Sequence, residues 1–201
     1  MFRQKKNGQL SLTHIAALFA GGASRRMGTD KAALTVGRET LLARTARLAE
    51  DAGLSVIVVG RARPDDWTSD TVMFLPDDVP GLGPLGALTT MLRRASEPIL
   101  ALACDLPRLD ADALRWLAAQ TPGPHGLAVL RDSSPEPLFS VYTPACLPLA
   151  EARLSEGRRS LRGLIEAGNF ARVDAPDWVA VRLMNVNTPE EWAGVQGKTR
   201  P

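Results

Sequence analysis

Leu54-Ser55-Val56-Ile57-Val58-Val59-Gly60 is an unbroken apolar run of strand length, rich in β-branched side chains and closed by a glycine. A strand with one solvated face alternates apolar and polar residues, whereas this one reads as buried on both sides. Strands of that kind belong to parallel sheets covered by helices on both faces, and the flanking sequence supplies the helices. Upstream, Leu41, Leu42, Thr45, Leu48 and Ala52 recur at helical spacing until Gly53 stops them, and before them His14–Ala20 forms another apolar run closed by Gly21 and Gly22. Downstream, Thr71–Leu75 is a weaker strand, Pro76–Pro84 is rich in turn residues, and Leu85–Arg94 suits a helix with Pro84 in its first turn. Pro98–Cys104 is a further continuous strand, and Asp110 can cap a helix that gathers Leu114, Leu117 and Ala118 on one face. Strand-like runs at Leu127–Leu130 and Leu138–Tyr142 and helical stretches around 145–154 and 160–167 complete the pattern.

Strands alternating with helices predict an α/β fold, a three-layer Rossmann-like sandwich around a mostly parallel sheet. The less regular region after residue 125 leaves room for an antiparallel strand or two. With 201 residues the chain suits one domain, assigned to 13–196, preceded by a flexible tail over 1–12. That tail carries Arg3, Lys5 and Lys6 with no apolar stretch of signal-peptide type behind them.

Composition narrows the function. Net charge is only +2 and the basic residues are scattered, which argues against nucleic acid as a partner. No apolar run approaches the length of a membrane span. The two cysteines, Cys104 and Cys146, and the two histidines, His14 and His125, show no zinc-ligand spacing, and two lone thiols fit a reducing, cytoplasmic setting.

In a sheet of this type ligands bind beyond the carboxyl ends of the strands. Three chemically pointed segments fall there: Gly21–Lys31, Asp77–Leu85 and Cys104–Pro107. The first, Gly21-Gly22-Ala23-Ser24-Arg25-Arg26-Met27-Gly28-Thr29-Asp30-Lys31, joins two glycines that free backbone N–H groups for an anion to three cationic side chains. It is neither a P-loop, since no Gly-Lys is followed by Ser or Thr, nor a dinucleotide fingerprint. By itself it is either a phosphate cradle or a solvated basic turn. Asp105, at the mouth of the Pro98–Cys104 strand, is either a Mg2+ ligand or a carboxylate that satisfies turn N–H groups before Pro107. Asp77 and Asp78 precede Gly81-Leu82-Gly83-Pro84-Leu85-Gly86, which is also readable as a plain glycine and proline turn.

Phe19–Lys31 resembles the Leu-x-Gly-Gly-x-Ser-x-Arg-Met-Gly-x-Asp-Lys signature of the molybdenum cofactor guanylyltransferases, the MobA family. Phe19 replaces the usual leucine, a change expected to reshape the base pocket slightly. Cys104-Asp105-Leu106-Pro107 is similar to the family's Cys-Asp-x-Pro, whose Asp is the metal ligand. The Asp77–Gly86 segment resembles its Asp followed by Gly-Pro-Leu-Ala-Gly, placed near guanine and ribose, with Asp77 preferred over Asp78. Pro137-Leu138-Phe139 also has a family counterpart. Gly157-Arg158-Arg159-Ser160-Leu161-Arg162 resembles Gly-x-Arg-Ser-Leu-Arg, and Asn185-Val186-Asn187-Thr188-Pro189 resembles Asn-x-Asn-Thr-Pro. Each has a structural reading as well: Ser160 as a helix N-cap, and Thr188, Pro189 and Glu191 as a capping box. Gly60 departs from the family, which often has asparagine there.

The resemblance spans roughly residues 14–193 and implies a nucleotide-diphospho-sugar transferase-like fold. It implies transfer of GMP from GTP to the terminal phosphate of Mo-molybdopterin, with Mg2+ as cofactor. Catalysis falls to Arg26, Lys31 and Asp105. Nucleotide binding falls to Phe19, Ala20, Gly21, Gly22, Lys31, Asp77, Gly83, Pro84, Leu85 and Asp105, and the metal to Asp105. Arg158, Arg159, Ser160, Asn185 and Asn187 face the acceptor. Molybdenum-insertion proteins or molybdoenzyme chaperones are partners that the resemblance allows. The competing activities are cytidylyl transfer to the same pterin, another small-molecule nucleotidyl transfer, and non-catalytic nucleotide binding. Cytidylyltransferases typically carry Ala-Ala-Gly where this chain has Ala20-Gly21-Gly22, and the missing methyl at Gly21 is expected to admit a purine.

Overall fold

The computed structural model describes residues 15–21, 35–36 and 39–184. Its strands are β1 (Ile15–Phe19), β2 (Thr35–Val36), β3 (Glu39–Thr40), β4 (Ser55–Val59), β5 (Met73–Leu75), β6 (Ile99–Ala103), β7 (Gly126–Arg131), β8 (Ser134–Pro135), β9 (Phe139–Tyr142) and β10 (Phe170–Asp174). Its helices are α1 (Leu41–Asp51), α2 (Gly83–Leu92), α3 (Ala111–Ala118), α4 (Leu147–Ser155), α5 (Leu161–Ala167) and α6 (Asp177–Ala180). Three starts show why the helices begin where they do. Thr40 Oγ1 accepts from Ala43 N at 3.1 Å, Asp110 Oδ1 from Ala113 N at 2.9 Å and Ser160 Oγ from Gly163 N at 3.1 Å, each satisfying an N–H that the first turn leaves without a partner.

Eight strands form one sheet in the order β10-β7-β9-β6-β1-β4-β5, with β8 paired to β7. β1 runs parallel to both β4 and β6, β4 parallel to β5, and β10 parallel to β7, whereas β9 is antiparallel to its neighbours β6 and β7. The expected antiparallel element after residue 125 is therefore β9, with the short β8 beside it. β2 and β3 form a separate two-stranded ladder.

The strands are apolar throughout because both faces are covered. Ala16 and Leu18 of β1 face the layer built by Leu42 and Ala46 of α1, Leu114 and Leu117 of α3 and Val179 of α6. Ile15, Ala17 and Phe19 face Leu85, Leu88 and Met91 of α2, Ala150 of α4 and Leu164 and Ile165 of α5. This is the three-layer sandwich expected from the sequence.

Connectivity then fixes where a ligand would sit. From β1 the chain runs outward to β4 and β5, then returns to place β6 on the opposite side of β1. That reversal is a switch point, and the crevice it opens lies beyond the carboxyl ends of β1 and β6.

Candidate active site

Phe19, the last residue of β1, is in register with Val59 on one side and Ala103 on the other, and Val59 is in register with Leu75. Gly60 follows that rung by one residue, while Gly21, Asp77 and Asp105 each follow it by two. Four residues scattered over more than eighty positions of sequence thus leave the sheet at one rim.

The floor of the rim is backbone. Ala20 N donates to Val59 O at 3.2 Å and Gly60 N to Leu75 O at 2.9 Å, extending the ladder past the last paired residues. Gly60 has φ +90° and lies so close to Gly21 that a Cβ on Gly21 would stand 2.9 Å from Gly60 O. Two glycines are needed here because two backbones touch. This changes the reason given for Gly21: the room left by its missing methyl is occupied by Gly60, so the residue is required by the strand crossing and not as space for a purine.

Asp77 faces this floor. Its Oδ1 would lie 3.5 Å from a Cβ on Gly60, and the oxygen is buried with no hydrogen-bond partner among the described residues. Burial, and secondarily the neighbouring Asp78 charge, push its carboxyl above the ordinary aspartate range. Asp78 points elsewhere. Its carboxylate pairs with Arg94 at 2.6 Å and Arg93 at 3.2 Å, its backbone N–H donates to Thr90 Oγ1 at 3.1 Å, and Arg93 continues to Glu151 at 2.8 Å. Hydrogen bonds from Arg94 and then Arg93 hold the Asp78 carboxyl below its usual range. Of the two neighbouring aspartates, Asp78 anchors the loop to the end of α2, and Asp77 is the one presented to the crevice.

Phe19 and Leu85 are buried in the α2 layer, at 6% and 0% exposure. Their side chains are core, so each can reach a ligand only through its backbone, and the change from leucine at Phe19 alters packing under α2 instead of a pocket wall. Cys104 Sγ closes the neighbouring seam by donating to Phe19 O at 3.4 Å. Gly83, with φ +70°, and Pro84 open α2 at the same rim.

On the other side of the switch point a cavity of about 390 Å³ is lined by Pro84, Asp105, Glu136, Arg159, Ser160 and Arg162 among others. Asp105, two residues past the end of β6, therefore belongs to both the rim and this cavity. Arg159 Nη1 also donates to Gly81 O at 3.0 Å, tying the entry of α5 to the loop that precedes α2. Ser160 is both a cavity residue and the α5 cap. Arg158 is not brought in: it pairs with Glu156 at 3.2 Å and its side chain is 63% exposed. Gly22, Arg26, Lys31, Asn185 and Asn187 lie outside the described residues, as do the 1–12 tail and the Thr188 capping box.

Two charged cavity residues were not among the candidate site residues. Arg162, in the first turn of α5, closes the Gly157–Arg162 segment quoted above, so its signal was in the sequence. Glu136 directly precedes Pro137-Leu138-Phe139, but nothing in its spacing sets it apart from a surface acid. No group of three or more metal-ligating side chains occurs among the described residues. The carboxylate of Asp105 on a polar rim suits Mg2+, which keeps several waters and takes phosphate oxygens.

A doubly covered, mostly parallel sheet with a glycine floor and carboxylates at its switch point has the architecture of the nucleotidyltransferases related to nucleotide-diphospho-sugar transferases. Residues 16–173 match the MobA-like NTP transferase domain. The chain belongs to that family. A protein of Synechococcus elongatus named "Probable molybdenum cofactor guanylyltransferase" is 37% identical over 200 residues, covering 92% of this chain and 99% of its own. One of the same name from Opitutus terrae is 32% identical over 183 residues, covering 87% and 91%. The crystal structure of molybdopterin-guanine dinucleotide biosynthesis protein A from Archaeoglobus fulgidus shares the fold at a TM-score of 0.72 and 20% identity, with 92% and 97% covered.

Proposed function

We propose that the protein transfers GMP from GTP to the terminal phosphate of Mo-molybdopterin, giving molybdopterin guanine dinucleotide and pyrophosphate. The observation that supports this reading is that Asp105, two residues past the end of β6, lines the same cavity as Arg159. The names of relatives that match nearly the whole chain supply the substrates.

In the reaction an oxygen of the acceptor phosphate attacks the α-phosphorus of GTP in line, a P–O bond forms, the bond to the β-phosphate oxygen breaks, and pyrophosphate departs with the electron pair. The acceptor needs no general base, because a phosphate monoester with a second pKa of roughly 6 is already largely dianionic at neutral pH. What the chain must supply is position and positive charge. Asp105 would hold Mg2+, which neutralises phosphate charge when bound. The crossing of Gly21 and Gly60 forms the floor beneath the nucleotide, and Asp77 accepts hydrogen bonds from the guanosine moiety. Arg26 and Lys31 stabilise the α-phosphate and the leaving pyrophosphate. Arg159 and Ser160 bind the acceptor with Asn185 and Asn187, and Arg158 stays at the margin.

The same reading places the enzyme in the cytoplasm. Cys104 and Cys146 are unbridged, and no helix among the described residues is long and apolar enough to cross a membrane.

The direct test is Asp105→Asn. Product formation from GTP and Mo-molybdopterin should fall by roughly 10²–10³-fold, the scale of losing one preorganised electrostatic group. Thermal unfolding should stay near wild type. Unchanged turnover would remove Asp105 from the reaction.

A further inference from the structure

The acceptor cavity carries a carboxylate that the phosphate chemistry does not use. Glu136 lines it, with a side chain 15% exposed, and is fixed from several directions. Its N–H donates to Val129 O at 2.9 Å, its carbonyl accepts from Phe139 N at 3.0 Å and from Ser140 Oγ at 2.7 Å, and its Oε1 pairs with Arg131 Nη2 at 2.7 Å. Arg131 is in turn anchored by Nη1 on Leu183 O at 2.7 Å. Burial raises the Glu136 carboxyl above its ordinary range, and the Arg131 and Arg162 charges oppose that rise.

A negative group in this position is costly for an acceptor that is itself a phosphate, unless the part of the acceptor lying against it donates hydrogen bonds. A pterin does so: its 2-amino group and N3–H present two parallel donors, the match for the fork of a carboxylate. Each carboxylate oxygen has two lone-pair directions, so Oε1 can serve Arg131 and a ligand together. An ion pair alone would not require a carboxylate on the cavity wall, since buried pairs are often replaceable by apolar groups without loss of stability.

We propose that Glu136, held in place by Arg131, is the specificity-determining residue that reads the 2-amino-4-oxo pyrimidine edge of the acceptor while Arg159 and the Asp105 rim take its phosphate. The proposal rests on the transfer reaction above and extends it to how the pterin is told from other phosphorylated heterocycles.

The test measures transfer from GTP to Mo-molybdopterin with 6-hydroxymethylpterin and 6-hydroxymethyllumazine as competing inhibitors. The lumazine carries a 2-oxo group in place of the amine. Wild type should favour the pterin by about 10–100-fold, the value of charged hydrogen bonds made to one edge and refused to the other. In Glu136→Gln, whose amide can still reach Arg131 through its oxygen, the preference should collapse and the acceptor KM should rise by a similar factor while the GTP KM stays unchanged. The inhibitor ratio in wild type is read without any variant, so a folding defect in Glu136→Gln does not decide the matter. Equal inhibition by both heterocycles, inhibition by neither, or a variant with unaltered acceptor KM overturns the role of Glu136 and leaves the transfer reaction standing. A wild-type enzyme that moves no GMP to the pterin overturns both.

Discussion

Asp77 keeps a buried oxygen without a hydrogen-bond partner among the described residues, a cost of about 1–3 kcal/mol that nothing in the packing requires. Stability surrendered at one atom facing a glycine floor is expected where a ligand supplies the missing donor. Asp77→Asn should therefore leave stability unchanged or raise it by up to about 1 kcal/mol, and should weaken GTP binding by roughly 10–100-fold. Paired calorimetric unfolding and nucleotide titration check this, and a variant that binds GTP normally contradicts it. Asp78 gives the opposite sign. Its carboxyl is held below the ordinary range by Arg94 and Arg93, so the stability it contributes is complete above the unfolded aspartate pKa of about 4 and is lost as pH falls through its lower folded value. Melting temperature should fall on acidification in that window, and Asp78→Asn should flatten that limb of the curve. Asp77 and Glu136, both raised by burial, oppose the trend, because their ionised forms disfavour the fold as pH rises. At this scale sequence was a partial guide. The resemblance put Asp77 ahead of Asp78, but the physical reason, an Arg93–Asp78–Arg94 clamp across fifteen residues, depends on where α2 ends.

Among the elements, the decisive contact is the crossing of the ends of β1 and β4 at Gly21 and Gly60. A methyl on Gly21 would meet Gly60 O at 2.9 Å, a backbone atom that cannot swing aside. Gly21→Ala should cost about 1–3 kcal/mol, as overpacking of a tight contact does. Because it displaces the floor under the nucleotide, it should also raise the GTP KM, and a melt equal to wild type would contradict the packing account. The elements that sequence showed plainly were those whose pattern is unambiguous: β1, β4 and β6, apolar on both faces, and α1 and α3, with their apolar stripes and the Asp110 cap. β10 escaped notice because Phe170-Ala171-Arg172-Val173-Asp174 lies at the sheet edge with Phe170 alone buried, and its charged Arg172 and Asp174 separate it poorly from a loop. β2, β3 and β8, two residues each, carry no periodicity at all.

For the molecule as a whole, the switch point at β1 turns a linear sequence into a site. The strand ends were legible, and the rule that ligands gather beyond them brought Gly21, Asp77 and Asp105 together before any coordinates. What the sequence did not reveal was the far wall. Glu136 reaches the cavity because β7, antiparallel to β9, brings the chain to the rim and β9 then leads it away from Phe139, opposite Leu102, a long-range pairing that local pattern does not encode. The nucleotide preference also belongs to this scale, since Gly21 no longer explains it and the choice of base must come from the rim as an assembly. The measurement that bears on the central claim most directly is pyrophosphate release by the intact protein with Mo-molybdopterin and each of the four ribonucleoside triphosphates. The account predicts acceptor-dependent release with GTP at least about tenfold faster than with any other, a bias of roughly 1.4 kcal/mol, together with the guanine dinucleotide as product. A clear preference for CTP, or release indifferent to the pterin, would contradict it.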